Sequence, residues 1–99
     1  MGVRRSSVSG AQFALAVTSA AVVTLTVPDA ANVATMYVRT APLVFTRDGT
    51  DPTATKGTQA NVGDIITLNS KDELTKFKVI AVSTSGELDD IEYFTDLSG

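Results

Sequence analysis

The sequence predicts an all-β fold, a small antiparallel β-sandwich of immunoglobulin-like or jelly-roll-like topology. In several short segments apolar residues alternate with polar ones, a period of two that is typical of strands with one buried face. Turn-forming residues separate these segments about every ten residues, and no segment has a convincing helical period. The 99 residues suffice for one hydrophobic core. We therefore predict an N-terminal arm at residues 1–10 and a single sandwich domain at residues 11–99.

The first two predicted strands form a hairpin. Phe13, Leu15 and Val17 alternate with smaller or polar residues, which indicates a strand. A short Ser-Ala-Ala link leads to residues 22–27, where β-branched residues dominate and a second strand is expected. The short link between them predicts that the two strands pair.

The remaining strands follow at a regular spacing. They are expected at residues 35–40, 43–47, 65–68, 77–82 and 91–95, with a brief pairing at 58–62. Met36 and Val38 should face the core, and Phe77 should be buried because it shares a strand face with Val79 and Ala81. Residues 69–74 are polar and are predicted to form a tight loop.

A loop of about ten residues follows the strand at 43–47, long enough to lie on the surface of the β scaffold. Asp48 and Gly49 suit a tight turn, because Gly tolerates a positive φ and Asp can bond its own backbone. Asp51 and Pro52 break the chain again, since Pro fixes φ and favours an extended residue before it. A calcium loop needs further regularly spaced acids and a terminal Glu, which are missing. We expect these four residues to shape the turn and to bind no metal.

The composition argues against an enzyme. The chain has no Cys and no His, so it lacks thiolate ligands, the commonest metal ligand and the usual general base near neutral pH. Its acidic run, Glu87, Asp89, Asp90, Glu92 and Asp96, contains no base and is expected to be a solvated loop and strand edge. Asp89 and Asp90 should diverge, because neighbours on a strand point to opposite faces. We predict no catalytic residue, no cofactor and no metal.

The charge pattern limits the partners. The formal net charge is −3, and residues 51–99 hold four Lys against nine acidic residues. An acidic chain without a basic stripe is a poor binder of nucleic acid. Polar residues interrupt the apolar stretch at 13–27, so we expect neither a secretory signal nor a membrane anchor there.

Two groups of residues are candidates for assembly contacts. The first consists of apolar residues expected on the outer faces of their strands: Val22, Ile65, Ile80 and Val82. Contiguous apolar residues on an outer face indicate a partner surface. The alternative is that some of them lie in the middle of a sheet and are covered by loops.

The second group belongs to the arm and consists of Val3, Arg4, Arg5 and Val8. Arg4 and Arg5 are the only basic pair in the chain and complement the acidic run on a neighbouring copy or on a shell protein. Such exposed pairs contribute only about 0–1 kcal/mol each, so burial of Val3 and Val8 and backbone pairing must supply the rest. The alternative is an arm that folds back on its own domain.

The run Phe45-Thr-Arg-Asp-Gly-Thr-Asp-Pro-Thr-Ala-Thr-Lys-Gly57, preceded by residues 22–28 and by Ala41-Pro42, resembles a class of small tailed-bacteriophage virion proteins. Their closing strands are similar to Phe77-Lys-Val-Ile-Ala81 and Ile91-Glu-Tyr-Phe94 here, so the likeness covers about residues 13–95. Residues 43–95 also resemble the immunoglobulin-like C-terminal module of some hexosaminidases, from which no catalytic residue transfers. Both resemblances imply a β-sandwich.

The first resemblance implies a non-enzymatic virion structural protein that decorates or cements the capsid through its sandwich and arm. Its partners would be other copies of itself, as a homo-oligomer, and major capsid or other virion proteins. Neither nucleic acid nor a membrane is expected as a partner. Its place would be the virion, assembled in the bacterial host cytoplasm. Alternatives are a tail or fibre component, or a carbohydrate-binding module of a bacterial surface protein. The last has little support, because sugar-binding faces use exposed aromatic rings and the chain has six aromatic residues and no Trp.

Overall fold

Antiparallel strands and one short helix make up the fold, as seen in a computed structural model that describes residues 5–96. The elements are β1 (Arg5–Gln12), β2 (Leu15–Val17), β3 (Val33–Arg39), β4 (Leu43–Thr46), β5 (Thr58–Ala60), β6 (Ile65–Leu68), α1 (Lys71–Lys76), β7 (Lys78–Ala81) and β8 (Gly86–Asp96). The predicted all-β class is confirmed.

The strands form two antiparallel sheets. The larger sheet has the order β1-β8-β3-β6. Strand β2, which follows β1 after a two-residue interruption at 13–14, also pairs with β8. The smaller sheet has the order β5-β4-β7. Within the described residues β6 pairs only with β3 and β5 only with β4, so both are edge strands. We call the side of the molecule formed by β5 and β6 the open side.

The core lies between the sheets and takes one face from each. Met36 and Val38 of β3 are buried, as are Phe77 and Val79 around the start of β7, as the alternation predicts. The aromatic contact in this core joins Phe77 to Phe45, with ring centroids 5.6 Å apart. Leucines fill the space beside them, namely Leu43, Leu68, Leu74 and Leu88. The predicted inward faces are therefore correct for both sheets.

The predicted strand at residues 22–27 and its hairpin do not form. Val23 alone makes a backbone bridge, to Val79 of β7, with N–H to carbonyl distances of 2.9 and 3.0 Å. Leu25 and Val27 pack against the core while the threonines between them are exposed. The alternation thus reflects an extended segment lying on the core, because periodicity reports which side chains are buried and not which backbone they pair with.

The prediction of a tight loop at residues 69–74 is wrong, because helix α1 begins there. The Ser70 hydroxyl accepts the N–H of Glu73 at 3.1 Å, and the Glu73 carboxylate accepts the N–H of Asn69 at 3.0 Å. This reciprocal pattern is a capping box shifted by one residue, and it satisfies amide groups at the start of the helix. Leu74 anchors the helix in the core. The Ser-x-x-Glu spacing was visible in the sequence and marks the helix start.

The described part of the predicted arm folds back as strand β1. Arg5 is opposite Asp96 and Val8 is opposite Tyr93 in the ladder with β8, and Val8 packs against the core. Val3 and Arg4 lie outside the described residues. The strand predicted around Phe13 begins only at Leu15, because Ala14 has a φ of 51° and Phe13 is 67% exposed. A single long strand is thus broken into β1 and β2.

Candidate assembly surface on the open side

The structure separates the four predicted outer apolar residues. Val22 precedes the residue that bridges β7, so it lies near Ile80, with Val82 just beyond the end of that strand. All three are half-buried. Ile65 belongs to β6 of the other sheet and is 57% exposed. The four residues therefore do not form one patch, and Ile65 is the exposed member.

The loop at residues 47–57 covers part of the outer face of the smaller sheet. Val44, opposite Ile80 in the ladder, is only 2% exposed. A Cβ built on Gly57 would lie 2.7 Å from a methyl of Val44, which shows how closely the loop backbone approaches. Lys78 of β7 holds the loop to the sheet through a 2.8 Å ion pair with Asp51. The loop therefore covers Val44, which was not one of the four predicted outer residues.

Each of the predicted turn residues has a structural role in this loop. The Asp48 carboxylate accepts the N–H of Thr50 at 3.0 Å, and this backbone hydrogen bond is the main reason that the pKa of Asp48 lies below its ordinary value. Gly49 has a φ of +88°, which favours glycine. Asp51 pairs with Lys78, and Pro52 is buried. These contacts make the loop an ordered platform beside β4 and β5.

A cleft of about 380 Å³ lies between this loop and the strands β4 and β5. The guanidinium of Arg47 lies 5.3 Å from the centroid of the Phe45 ring at its wall, and the exposed Lys56 lines it too. A second cleft of about 220 Å³ shares Phe45, Arg47 and Thr58 and continues to Ile65. The two clefts are neighbours that share these lining residues, and we call them together the open-side groove.

Arg47 and Lys56 differ from the other cations in residues 7–95. Arg39 pairs with Asp89, Lys76 with Asp72 and Lys78 with Asp51, at 2.9, 3.3 and 2.8 Å. Lys71 donates to two backbone carbonyls. The side chains of Arg47 and Lys56 form neither an ion pair nor a hydrogen bond within the described part of the chain, although the charge of Lys56 helps to lower the pKa of Asp48. Sequence reasoning missed them because nothing in a single sequence shows which cations lack a partner.

The acidic run lies largely within β8, a central strand of the larger sheet, and not in a loop. Asp89 and Asp90 sit between two fully buried residues, Leu88 and Ile91, where the pairing with β3 shifts register and Asp90 has a φ of 49°. At this bulge two half-buried acidic residues lie between two buried ones, where strict alternation would place a single residue.

The Asp89 carboxylate organises the junction of β1, β2 and β8. It accepts the N–H groups of Ala14 at 2.9 Å and Asp90 at 2.8 Å, and it pairs with Arg39. These hydrogen bonds, that of Ala14 first, hold the pKa of Asp89 below its ordinary value. Glu87 accepts the hydroxyl of Thr40 at 3.0 Å. These two carboxylates therefore tie loops and turns to the sheet.

Among residues 5–96 no group of three or more His, Cys, Asp or Glu side chains is arranged to hold a metal ion. The helix found there, α1, is far too short to cross a bilayer.

Comparison with known proteins gives no relative. No family model, curated protein or solved structure matches this chain.

The arrangement on the open side is suited to contact with another polypeptide. Val62 and Ile65 are 56% and 57% exposed and lie at the turn and strand that follow β5. Edge strands present unpaired backbone groups, and exposed apolar side chains next to such an edge favour association. Val62 was not among the predicted contacts. The sequence placed it at the end of the brief pairing at 58–62, but β5 ends at Ala60 and Val62 lies in the turn before β6.

Proposed function

We propose that this chain is a non-enzymatic structural protein of a bacteriophage virion that decorates or cements the capsid. The supporting observation is the open side, where exposed Val62 and Ile65 adjoin two edge strands that have no further partner among the described residues. Every open sheet has edge strands, and monomeric proteins protect theirs; an edge flanked by exposed apolar side chains favours association. The assignment to a virion, as distinct from association in general, is based on the sequence resemblance.

In this proposal the domain presents two contact elements. The open side meets a capsid protein or another copy, and the second element is the predicted arm, whose described part is β1, the edge strand on the opposite side of the larger sheet. Contacts at both edges of one domain allow each copy to bridge two neighbours. Small shell proteins that bridge neighbours add stability through many weak contacts, because linked binding events raise the effective concentration.

Immunogold labelling of purified particles from host cells that produce the chain tests this proposal. We expect label distributed over the capsid surface. Label confined to the tail or its fibres would favour the tail-component alternative, and particles without label would contradict a virion role.

Surface variants then test the open side. Ile65→Lys should reduce retention on particles, because it places a charge in the contact, while leaving the melting temperature nearly unchanged. Thr84→Lys is the control, since Thr84 is exposed in the turn after β7, away from both contact elements. Equal retention of both variants would contradict the use of the open side.

A further inference from the structure

The open-side groove has free hydrogen-bond donors at one end. Arg47 and Lys56 line the larger cleft, and neither has an ion-pair partner within the described residues. The Arg47 guanidinium is held over the Phe45 ring, which restricts its motion and leaves its in-plane N–H groups available. A preorganised guanidinium beside an ammonium is suited to a carboxylate.

The acidic residues in the groove do not cancel this preference for an acceptor. Asp48 accepts the N–H of Thr50, and Asp64 accepts the N–H of Asn61 at 2.8 Å. Each hydrogen bond holds a carboxylate in its own turn, and both carboxylates keep their negative charge and further acceptor sites. Neither forms an ion pair with Arg47 or Lys56, so the donors that line the larger cleft without an ion-pair partner are those of Arg47 and Lys56.

The other end of the groove is apolar and borders a strand edge. The smaller cleft is walled by Ala60, Ile65 and Ile66, and Ile65 is 57% exposed. Strand β6 pairs with β3 on one side only, so its other side offers backbone groups to an added strand. The groove therefore combines a cationic end, an apolar end and an open ladder.

We propose that the open-side groove binds an extended acidic segment of a partner protein, which adds to β6 as a strand. An acidic side chain of the segment meets Arg47 and Lys56, and an apolar side chain further along packs on Ile65. Small anions would use the cationic end alone and leave Ile65 exposed. This inference rests on the proposed assembly function and specifies the chemistry of the partner.

Fluorescence anisotropy with a labelled hexapeptide of alternating glutamate and valine tests the proposal on the whole chain. We expect saturable binding that weakens as salt is added, because exposed charges are screened. A peptide with glutamine in place of glutamate should bind about tenfold more weakly, the loss expected for a charge-assisted hydrogen bond. Equal binding of the two peptides, or no binding of the acidic one, would overturn the proposal.

Matched variants locate the site. Arg47→Gln and Lys56→Gln should weaken binding of the acidic peptide, whereas Lys76→Gln removes a cation that is already paired with Asp72 and should not. Ile65→Lys should weaken binding of the glutamine peptide too, with Phe13→Lys as its control. If both Arg47→Gln and Lys56→Gln bind the acidic peptide as the parent does, the open-side groove is not the binding site.

Two further outcomes identify other occupants and count against the proposal. Acetate that displaces the peptide at equal molar concentration indicates a small-anion site. Self-association in sedimentation experiments that Arg47→Gln abolishes indicates that a second copy fills the groove. Peptide binding is measured without particles, so a protein that binds the peptide but is absent from virions disproves only the virion function.

Discussion

Phe77 is a core side chain whose loss should lower the stability of the protein strongly. It is fully buried between the sheets and its ring packs on that of Phe45. We predict that Phe77→Ala lowers the free energy of unfolding by about 3–5 kcal/mol, the usual cost of such a truncation. Denaturant unfolding measures this loss, and Phe13→Ala, at an exposed site, serves as the control. A melting temperature within a few degrees of the parent would contradict it.

Tyr93 makes the stability sensitive to alkaline pH. Burial raises the pKa of its hydroxyl from 10.0 to about 12, and the hydroxyl donates to Gln12 at 2.6 Å. The folded state keeps this proton at pH values where the unfolded chain releases it. The resulting contribution to stability is complete below pH 10 and is lost as the pH rises from 10 towards 12.

We therefore predict that the free energy of unfolding falls across this window and that Tyr93→Phe shows a shallower fall. The variant also controls for lysine titration, which affects both proteins alike. The same slope in both would show that Tyr93 is not the titrating group.

At the scale of single elements, α1 depends on its capping residue. Ser70→Ala removes the acceptor for the N–H of Glu73 and should cost about 1 kcal/mol, typical for the loss of an N-cap. Chemical denaturation of the variant measures the change. Ser83→Ala, in the exposed turn after β7, is the comparison and should have little effect. Equal effects of the two changes would show that the cap is unimportant.

Strand β1 and the residues before it are separable by deletion. Removing residues 1–10 should lower the melting temperature, because it takes away most of the ladder between β1 and β8 together with Val8. Removing residues 1–4 leaves that ladder intact and should not lower the melting temperature. If the shorter deletion reduces retention on particles at an unchanged melting temperature, residues 1–4 have an assembly role; full retention would contradict one.

The sequence was informative where burial alternates along a strand. The inward faces of β3 and β7 follow directly from Met36, Val38 and Val79. It was less informative about pairing. Residues 22–27 alternate like a strand, but only Val23 among them bridges β7. The length of β8 was missed because its first half is acidic, and outward carboxylates in a central strand look like a loop in the sequence.

The candidate site was predicted only in part, for a related reason. Ile65 could be found from its strand face, because residue 66 next to it is the buried one. The cleft residues Arg47 and Lys56 come together only when the loop closes over β4. Which cations lack partners depends on the whole fold and cannot be obtained from local spacing.

The topology of the whole molecule predicts slow folding. The first strand, β1, pairs with the last, β8, and β8 also pairs with β3 in the centre of the larger sheet. Contacts between residues distant in sequence require closure of long loops before they stabilise the chain. We expect refolding in milliseconds to seconds, as for other domains dominated by non-local strand pairing. Stopped-flow fluorescence of Tyr93 and Tyr37 follows this step, and a microsecond phase with full amplitude would contradict it.

The pairing of Arg5 with Asp96 also has a mechanical consequence. Because these partners begin β1 and end β8, both ends of the described chain lie side by side at one end of this strand pair, which we call one of its two poles. A tensile load applied between the two ends acts across the strands and opens their hydrogen bonds one after another. A load applied between one end and the opposite pole acts along the strands and strains many bonds together. The domain therefore resists force best when it is attached at opposite poles.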